Sequence, residues 1–206
     1  WLDCKLVKND WRPVPLSEGV CDGGQVTMSD GKTFEVKPSL RGIPIDLGVQ
    51  CVQEGGQSLV FAATSVSSKS LATKASDIIS QFLQKKELSA LENTSKQILA
   101  ENEHTEIVKT LATLIKKGVA FHHAGLNQKC REIVEKEFRK GTIKLLSSTP
   151  TLAAGVNLPA RRVIISNINR YNAKVGANRP ISILEYKQLC GRAGRPQYDK
   201  YGESII

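Results

Sequence analysis

The sequence of 206 residues lacks the features that define several broad classes of protein. It contains no stretch approaching the roughly 20 apolar residues that span a bilayer, and no basic-then-apolar leader typical of a signal peptide. Its five cysteines are an odd number without a CxxC pair, which argues against a zinc site and a disulfide framework. We therefore expect reduced thiols, no membrane partner and an intracellular protein.

Two elements that commonly hold a nucleotide are also absent. There is no GxxxxGK[ST] loop for the β- and γ-phosphates, and no acidic box of the DExH type for magnesium. The chain starts at Trp1 rather than at a methionine and ends on Ile205 and Ile206 without a polar tail. We expect it to be one part of a longer protein.

The sequence does contain an excess of positive charge. Lysine and arginine total 29 against 20 aspartate and glutamate, which gives a formal net charge of +9. On a domain of ordinary size this balance favours a polyanion such as nucleic acid as partner. It does not decide the question, because equally basic proteins exist that never bind nucleic acid.

From residue 51 onward, short apolar runs alternate with amphipathic stretches. Four runs have the composition of parallel strands buried on both faces: 57–62, 119–121, 144–148 and 163–166. Helical spacing of apolar residues predicts helices over 67–86, 127–139 and 183–190, with two more between 88 and 117. This alternation predicts an α/β fold with a parallel sheet flanked by helices. The polar stretch 85–105 has no assignable role.

Residues 1–50 have a different pattern, that of a linker and a small antiparallel β appendage. Residues 19–21 can pair with 25–28 around 22–24, and SDGK (29–32) is a strong turn signal. We therefore predict two units, the appendage over 1–50 and the α/β domain over 51–206.

The most informative stretch is QLCGRAGRP (188–196). Arg192 and Arg195 lie three residues apart among small residues, which let other groups come close. Two guanidiniums in one place suit the spread negative charge of a transferring phosphoryl group, because each offers a bidentate fork. From the spacing alone, a solvated basic turn explains the pattern equally well.

This stretch resembles motif VI, QxxGRxGR, of superfamily 2 helicases. The resemblance implies that Arg192 and Arg195 are arginine fingers on the γ-phosphate of ATP, and that Gln188 couples the nucleotide to the domain interface. It also implies that ATP and Mg²⁺ are bound mainly by another domain, the first RecA-like domain of the same protein.

A second stretch, STPTLAAGVNLP (148–159), resembles motif V of the same family. Hydroxyls and exposed backbone amides at such a turn can hold a phosphate without reading a base. The resemblance implies that Thr149 contacts the nucleic-acid backbone and that Gly155 and Asn157 lie toward the nucleotide, although many relatives have Asp in place of Asn157. An ordinary strand-to-helix loop is the alternative.

LVFAATS (59–65) resembles motif IV of the same helicases. Thr64 and Ser65 would lie at the carboxyl end of a strand, where open α/β sheets bind ligands, and would contact nucleic acid. An ordinary buried strand is the alternative.

FHHAGL (121–126) resembles an element of the Ski-like branch of the family. His122 and His123 would contact the nucleic-acid backbone there, or else form a purely structural loop. We expect no metal site, because adjacent side chains in an extended segment point apart and no third ligand is near.

Residues 167–182 have the pattern of a β-hairpin with a Gly/Asn-rich turn, which carries Arg170, Tyr171, Lys174 and Arg179. In the archaeal fork-associated DNA helicases of the Ski-like branch, and in the related helicase domain of polymerase theta, a β-hairpin at this place splits the duplex. By that resemblance Arg170, Tyr171 and Lys174 contact DNA, and a ring can stack on the last base pair. A surface hairpin with solvated charges is the alternative.

The resemblance covers nearly the whole chain, from WLD (1–3) and WRPV (11–14) to Asp199. It implies a RecA-like domain that acts as the second motor domain of an ATP-dependent 3′-to-5′ DNA helicase. Single-stranded and forked DNA would be its partners, in the cytoplasm of an archaeon or the nucleus of a eukaryote. Alone, it should neither hydrolyse ATP appreciably nor unwind nucleic acid. The alternatives are an RNA helicase of the same branch, a non-catalytic nucleic-acid-binding scaffold, and a fold with its own nucleotide site.

Overall fold

The computed structural model describes residues 11–150, 156–172 and 176–206. The strands in these ranges are β1 (Leu16–Asp22), β2 (Gln25–Met28), β3 (Thr33–Glu35), β4 (Ser58–Phe61), β5 (Val119–His122), β6 (Leu145–Ser148), β7 (Arg162–Ile165), β8 (Asn169–Asn172), β9 (Ala177–Pro180) and β10 (Gly202–Ile205). The helices are α1 (Ile43–Gln53), α2 (Ser65–Ile79), α3 (Lys85–Glu101), α4 (Glu106–Lys116), α5 (Gln128–Arg139) and α6 (Ile183–Cys190).

Eight of the strands form one sheet in the order β3-β2-β1-β10-β7-β4-β6-β5. The neighbours from β1 to β5 in this order pair in parallel, whereas β2 and β3 are antiparallel. All residues of β4, β5, β6 and β7 are buried, as expected for strands covered by helices on both faces. The predicted α/β fold with a mostly parallel sheet is therefore confirmed.

The predicted N-terminal hairpin is also confirmed. Its register pairs Gly19 with Met28 and Asp22 with Gln25. The two-residue turn consists of Gly23 and Gly24, whose φ angles of 57° and 96° lie in the left-handed region that favours glycine.

This hairpin is part of the main sheet, because β1 pairs in parallel with β10. The strand β10 is not predicted from the sequence, because four residues with one apolar side chain at their end give no strand pattern. The predicted division at residue 50, which lies within α1, stays a prediction.

The helix α1 is not predicted from the sequence, whereas the two helices predicted between 88 and 117 are present as α3 and α4. In α1, Pro44 lies in the first turn and Gly48 lies at the sheet, where a Cβ would approach Leu145 Cδ1 to 2.8 Å. Both residues weaken a helical pattern, although the first fits a helix start and the second permits close packing. The unassigned polar stretch is α3, which buries the apolar side chains of only Leu91 and Ile98.

The predicted helix over 67–86 is shorter than expected. Its N-cap is Thr64, and it ends at Ile79 before a 3-10 turn over Ser80–Phe82. No helix in the part of the chain with assigned structure is long and apolar enough to cross a membrane.

Candidate functional site

Eight of the predicted site residues lie at two opposite edges of the parallel sheet. Thr64, Ser65, His122, His123 and Thr149 lie at or just beyond the carboxyl ends of β4, β5 and β6, which are aligned by the sheet register. We call this the carboxyl edge. Asn157, Arg192 and Arg195 lie near the amino ends of β4 and β7, which we call the amino edge. A four-residue strand separates the two edges by about 13 Å.

At the carboxyl edge, Thr64 and Ser65 are exposed where β4 leads into α2. The Thr64 hydroxyl oxygen accepts a hydrogen bond from the Ser67 backbone N–H at 3.0 Å, and the Ser67 hydroxyl accepts one from the Thr64 N–H at 2.9 Å. This reciprocal capping fixes the start of a helix whose amino end carries partial positive charge. An exposed hydroxyl at such a terminus is suited to a phosphate oxygen.

Thr149, half-buried, lies directly after β6. Its backbone N–H donates to the His122 carbonyl oxygen at 3.1 Å, which ties the end of β6 to the end of β5. The position of the Thr149 hydroxyl therefore depends on the end of β5.

The two histidines are buried rather than presented to solvent. His122 is fully buried, and its Nε2 lies 2.9 Å from Glu135 Oε1 on α5. The His123 ring stacks on Phe121 with the ring centroids 5.3 Å apart, and its Nδ1 accepts from the Gly125 N–H at 3.0 Å. Both side chains thus have structural contacts, and their contact with nucleic acid stays a prediction.

Burial lowers the pKa of both histidines, because a charged imidazole loses its hydration. Glu135 partly offsets this effect on the pKa of His122. Among residues with described positions, no group of three or more histidine, cysteine, aspartate or glutamate side chains could hold a metal ion.

At the amino edge, the loop after α6 packs tightly against the start of β7. The Ala160 N–H donates to the Arg192 carbonyl at 2.9 Å, and the Gly194 N–H donates to the Ala160 carbonyl at 2.7 Å. Gly194 has a φ of 87°, and a Cβ there would lie 2.6 Å from Val14 Cγ1. Glycine is therefore required at this position, both by the backbone conformation and by the space.

The same loop is held from the N-terminal side by Arg12. Its Nη2 donates to the Ala193 carbonyl at 2.6 Å, across 181 residues of sequence. Within the loop, the Arg195 guanidinium forms a bidentate pair with Asp199, with Nε 2.8 Å from Oδ2 and Nη2 2.7 Å from Oδ1. Such a pair fixes both the position and the plane of the guanidinium.

Two further side chains hold the same guanidinium. Arg195 Nη1 donates to Gln57 Oε1, and the guanidinium carbon lies 5.3 Å from the centre of the Tyr198 ring. Gln57 is itself fixed, because its Nε2 donates to the Phe138 and Ile143 carbonyls at 2.8 and 2.5 Å. The side chain of Arg195 is consequently only 14% exposed.

Arg192 lies in a different environment, partly open to solvent and beside Asn157. Its Nη1 is 3.4 Å from Asn157 Oδ1, and Arg139 Nη1 reaches the Asn157 backbone carbonyl at 3.5 Å. Arg139 and Arg192 therefore share one residue as acceptor. Gln188 is exposed on the last turn of α6, four residues before Arg192, and the predicted Gly155 lies outside the residues that the structure describes.

The predicted hairpin between motifs V and VI is present as the antiparallel pair β8–β9, directly after the carboxyl end of β7. Arg170 Nη1 forms an ion pair with Glu185 Oε1 at 2.5 Å, which connects the hairpin to α6. Arg179 is exposed. The side chain of Tyr171, the residue Lys174 and the segment WLD (1–3) lie outside the described part.

Several partners of the site residues were not recognised from the sequence. Gln57 and Arg12 are far from motif VI along the chain, so only the fold brings them together. Asp199 lies four residues after Arg195, and this spacing of opposite charges was a signal that could have been used.

The chain belongs to the family of helicase conserved C-terminal domains, which matches residues 73–197. Among curated relatives, it is 44% identical over its whole length to the ATP-dependent DNA helicase Hel308 of Methanocella arvoryzae. It is 45% identical to the proteins of the same name from Caldivirga maquilingensis and Pyrococcus horikoshii. The chain spans about 27% of the length of these three relatives. The resemblance to superfamily 2 helicases of this archaeal type is thereby confirmed.

Proposed function

We propose that this chain is the second motor domain of an ATP-dependent 3′-to-5′ DNA helicase. In this proposal it supplies Arg192 and Arg195 to the γ-phosphate of ATP bound by a first RecA-like domain, while Thr64, Ser65 and Thr149 contact the backbone of one DNA strand. DNA as substrate is supported by the likeness to the named DNA helicases, and the direction by the resemblance to the Ski-like branch.

The observation that carries the proposal is the separation of the two sets of residues. The arginines lie at the amino edge, and the hydroxyls lie at the carboxyl edge of the same parallel strands. A domain built in this way can contact a nucleotide at one edge and a polynucleotide at the other. A motor needs such an arrangement if ATP binding and hydrolysis at one edge are to change the affinity for a nucleic-acid strand at the other.

The amino edge fits the phosphates of ATP better than it fits magnesium. Guanidinium groups suit phosphate oxygens, and Arg192 presents one beside the polar side chain of Asn157. Asp199 is engaged by Arg195, and no metal-binding cluster exists among the described residues. Mg²⁺ would therefore be held by the first RecA-like domain, where it would neutralise charge on the β- and γ-phosphates.

The carboxyl edge fits a strand held through its phosphates. Hydroxyls and the amino end of α2 offer neutral donors, which position a backbone without reading its sequence. The β8–β9 hairpin follows the carboxyl end of β7, and we propose that it separates the strands of forked DNA where the duplex meets this edge, with Arg170, Tyr171 and Lys174 in contact with DNA.

The test is the ATPase activity of the full-length helicase that contains this chain, measured without nucleic acid and with single-stranded DNA or RNA. We expect hydrolysis that DNA stimulates more than RNA and that collapses in the double variant Arg192→Ala/Arg195→Ala. Stimulation by RNA alone would favour an RNA helicase of the same branch. Hydrolysis that persists in the double variant would overturn the arginine-finger assignment, and no hydrolysis in the wild type would favour a non-catalytic scaffold.

A second measurement addresses the chain by itself. We propose that it neither hydrolyses ATP nor unwinds DNA alone, because its 206 residues contain no phosphate-binding loop of the GxxxxGK[ST] type. Turnover of ATP by the purified chain would contradict this and favour an independent nucleotide site.

A further inference from the structure

Helix α5 connects the two edges of the sheet. It follows β5 at the carboxyl edge and ends at Arg139, whose Nη1 is 3.5 Å from the Asn157 carbonyl at the amino edge. Its polar face carries Glu135 one turn before Arg139. The two oxygens of the Glu135 carboxylate contact different partners, one toward each edge.

Toward the carboxyl edge, Glu135 Oε1 lies 2.9 Å from Nε2 of the fully buried His122. The other ring nitrogen, Nδ1, is buried and has no hydrogen-bond partner among the described residues. Glu135 is thus the polar contact that orients this imidazole. The backbone carbonyl of His122 in turn accepts the Thr149 N–H at 3.1 Å, so the ring and the proposed strand-binding loop belong to one short segment.

Toward the amino edge, Glu135 Oε2 lies 3.9 Å from Arg139 Nη1. The same Nη1 is 3.5 Å from the Asn157 carbonyl, and Asn157 Oδ1 is 3.4 Å from Arg192 Nη1. These three contacts are longer than an ideal hydrogen bond, so small displacements would strengthen or break them. A movement of Arg192 toward a phosphate would change what Asn157 and Arg139 contact.

The Glu135 carboxylate is only 14% exposed, so its interactions are less screened than those of a surface ion pair. If Arg139 loses Asn157, its nearest carboxylate partner is Glu135, which would then share its charge between Arg139 and His122. The contacts therefore form an unbroken path from Thr149 to Arg192.

We propose that Glu135 is a positioning residue that couples the Arg192 site at the amino edge to the strand-binding loops at the carboxyl edge. This inference rests on the proposed function. Spatial continuity alone does not establish coupling, because coupling is a free energy that must be measured between two sites. The proposal therefore makes a quantitative claim about how DNA changes ATP hydrolysis.

The test uses Glu135→Gln in the full-length helicase. Glutamine keeps the size and a hydrogen bond to His122 but removes the charge that Arg139 faces. We expect ATPase activity without DNA to stay at the wild-type level, whereas maximal stimulation by single-stranded DNA falls roughly 3- to 10-fold. The DNA concentration for half-maximal stimulation should change much less, a split that a merely destabilising substitution would not produce.

Glu132→Gln is the matched control. Glu132 lies on the same helix and is exposed, and its carboxylate accepts a hydrogen bond from Gln128 Nε2 in that helix at 2.8 Å. We expect it to leave both ATPase rates unchanged. The reciprocal measurement is the affinity for single-stranded DNA with and without a non-hydrolysable ATP analogue, whose ratio should shrink in Glu135→Gln by a comparable factor.

Arg139→Gln removes the charged group that contacts both Glu135 and the Asn157 carbonyl. Because Arg139 is exposed, this variant should fold and tests the proposal even if Glu135→Gln does not. We expect the same loss of stimulation, and no further loss when the two substitutions are combined. Normal stimulation in Arg139→Gln, or losses that add independently, would overturn the inference. If DNA stimulates ATP hydrolysis equally in the wild type and in Glu135→Gln, this inference alone is overturned. If DNA does not stimulate hydrolysis in the wild type, the proposed function is overturned as well.

Discussion

The two edges of the sheet hold their functional side chains by different means. At the carboxyl edge, Thr64 is fixed by Ser67, three residues away, and its donors are neutral. At the amino edge, Arg195 is fixed by Asp199 and by Gln57, which is 138 residues away in sequence. Neutral hydrogen bonds contribute about 0.5–1.5 kcal/mol each and charged ones about 1.5–3 kcal/mol. Under the proposed function, neutral donors suit a DNA strand that must be released in every cycle, whereas a rigidly held guanidinium suits a phosphate that must be bound in one geometry.

The largest effect that would sharpen this comparison is expected at Arg192. Under the proposed arginine-finger role, Arg192→Ala should lower DNA-stimulated ATP hydrolysis about 1,000-fold or more, while affinity for single-stranded DNA is retained. Steady-state ATPase and fluorescence anisotropy of labelled DNA measure the two quantities. Lys116→Ala removes an exposed cation from the end of α4, also next to the amino end of a strand, and should change neither. Equal losses in both variants would mean that general charge, not position, is responsible.

A second large effect concerns the rigidity of the amino edge. Asp199→Ala leaves the Arg195 guanidinium, 14% exposed, without its carboxylate, and should lower the free energy of unfolding by about 3 kcal/mol. Asp30→Ala removes a carboxylate from the exposed pair with Lys32 and should lower the free energy of unfolding far less, because water screens an exposed ion pair. Urea denaturation followed by circular dichroism compares the two. Similar costs would show that Arg195 is not held in the way the structure indicates.

Substitutions at the carboxyl edge should have smaller effects, and these should be on affinity for DNA rather than on ATP hydrolysis. Thr149→Val removes only a hydroxyl, so we expect affinity for single-stranded DNA to fall about 2- to 12-fold while ATPase activity without DNA is unchanged. Thr113→Val removes an exposed hydroxyl that bonds its own helix through the Lys109 carbonyl, and serves as the control in the same anisotropy assay. A loss of basal ATPase activity in Thr149→Val would break the separation between the edges.

The smallest effect concerns pH. Burial lowers the pKa of His122 in the folded chain, so the unfolded chain binds more protons once the pH falls below the ordinary value of about 6.5. Stability is therefore fully present above that pH and declines as the pH falls toward the lowered pKa. We expect the melting temperature to drop between pH 7.5 and 5.5, and to drop less in His122→Asn. An equal drop in His122→Asn and in the wild type would contradict the assignment.

The elements that the sequence predicted well are those whose signal is local. The four runs at 57–62, 119–121, 144–148 and 163–166 are apolar enough to predict strands, and all four are buried strands of the main sheet. Gly23, Gly24 and the SDGK turn similarly encode the N-terminal hairpin, because few other residues fit such turns. In contrast, β10 gains its stability from its two neighbours rather than from its own sequence, and α1 contains a glycine that its packing against the sheet explains.

The candidate site shows the same division. Motif VI predicts Arg192 and Arg195 as site residues. It does not predict that the Arg195 guanidinium is held by Asp199 and Gln57 while the Arg192 guanidinium lies beside Asn157. That difference depends on Gln57, which is set by the sheet, and on Arg139, which is set by α5. Likewise, the hydrogen bond between His122 and Glu135 depends on the packing of α5 against β5. Spacing along the chain predicts which residue types are present, whereas their pairing depends on contacts across the fold.

The position of β10 has a consequence for the order in which the chain can assemble during its synthesis. This strand lies between β1 and β7, so the ribosome makes the hairpin of β1 and β2 about 180 residues before its neighbour in the sheet exists. Until residues 202–205 emerge, the strand that would pair with both β1 and β7 is missing, so the hairpin cannot join the sheet. Nascent chains that lack these residues expose two strand edges at once, and unpaired edges invite pairing with other chains. Four residues with little pattern of their own thus decide when the sheet can close.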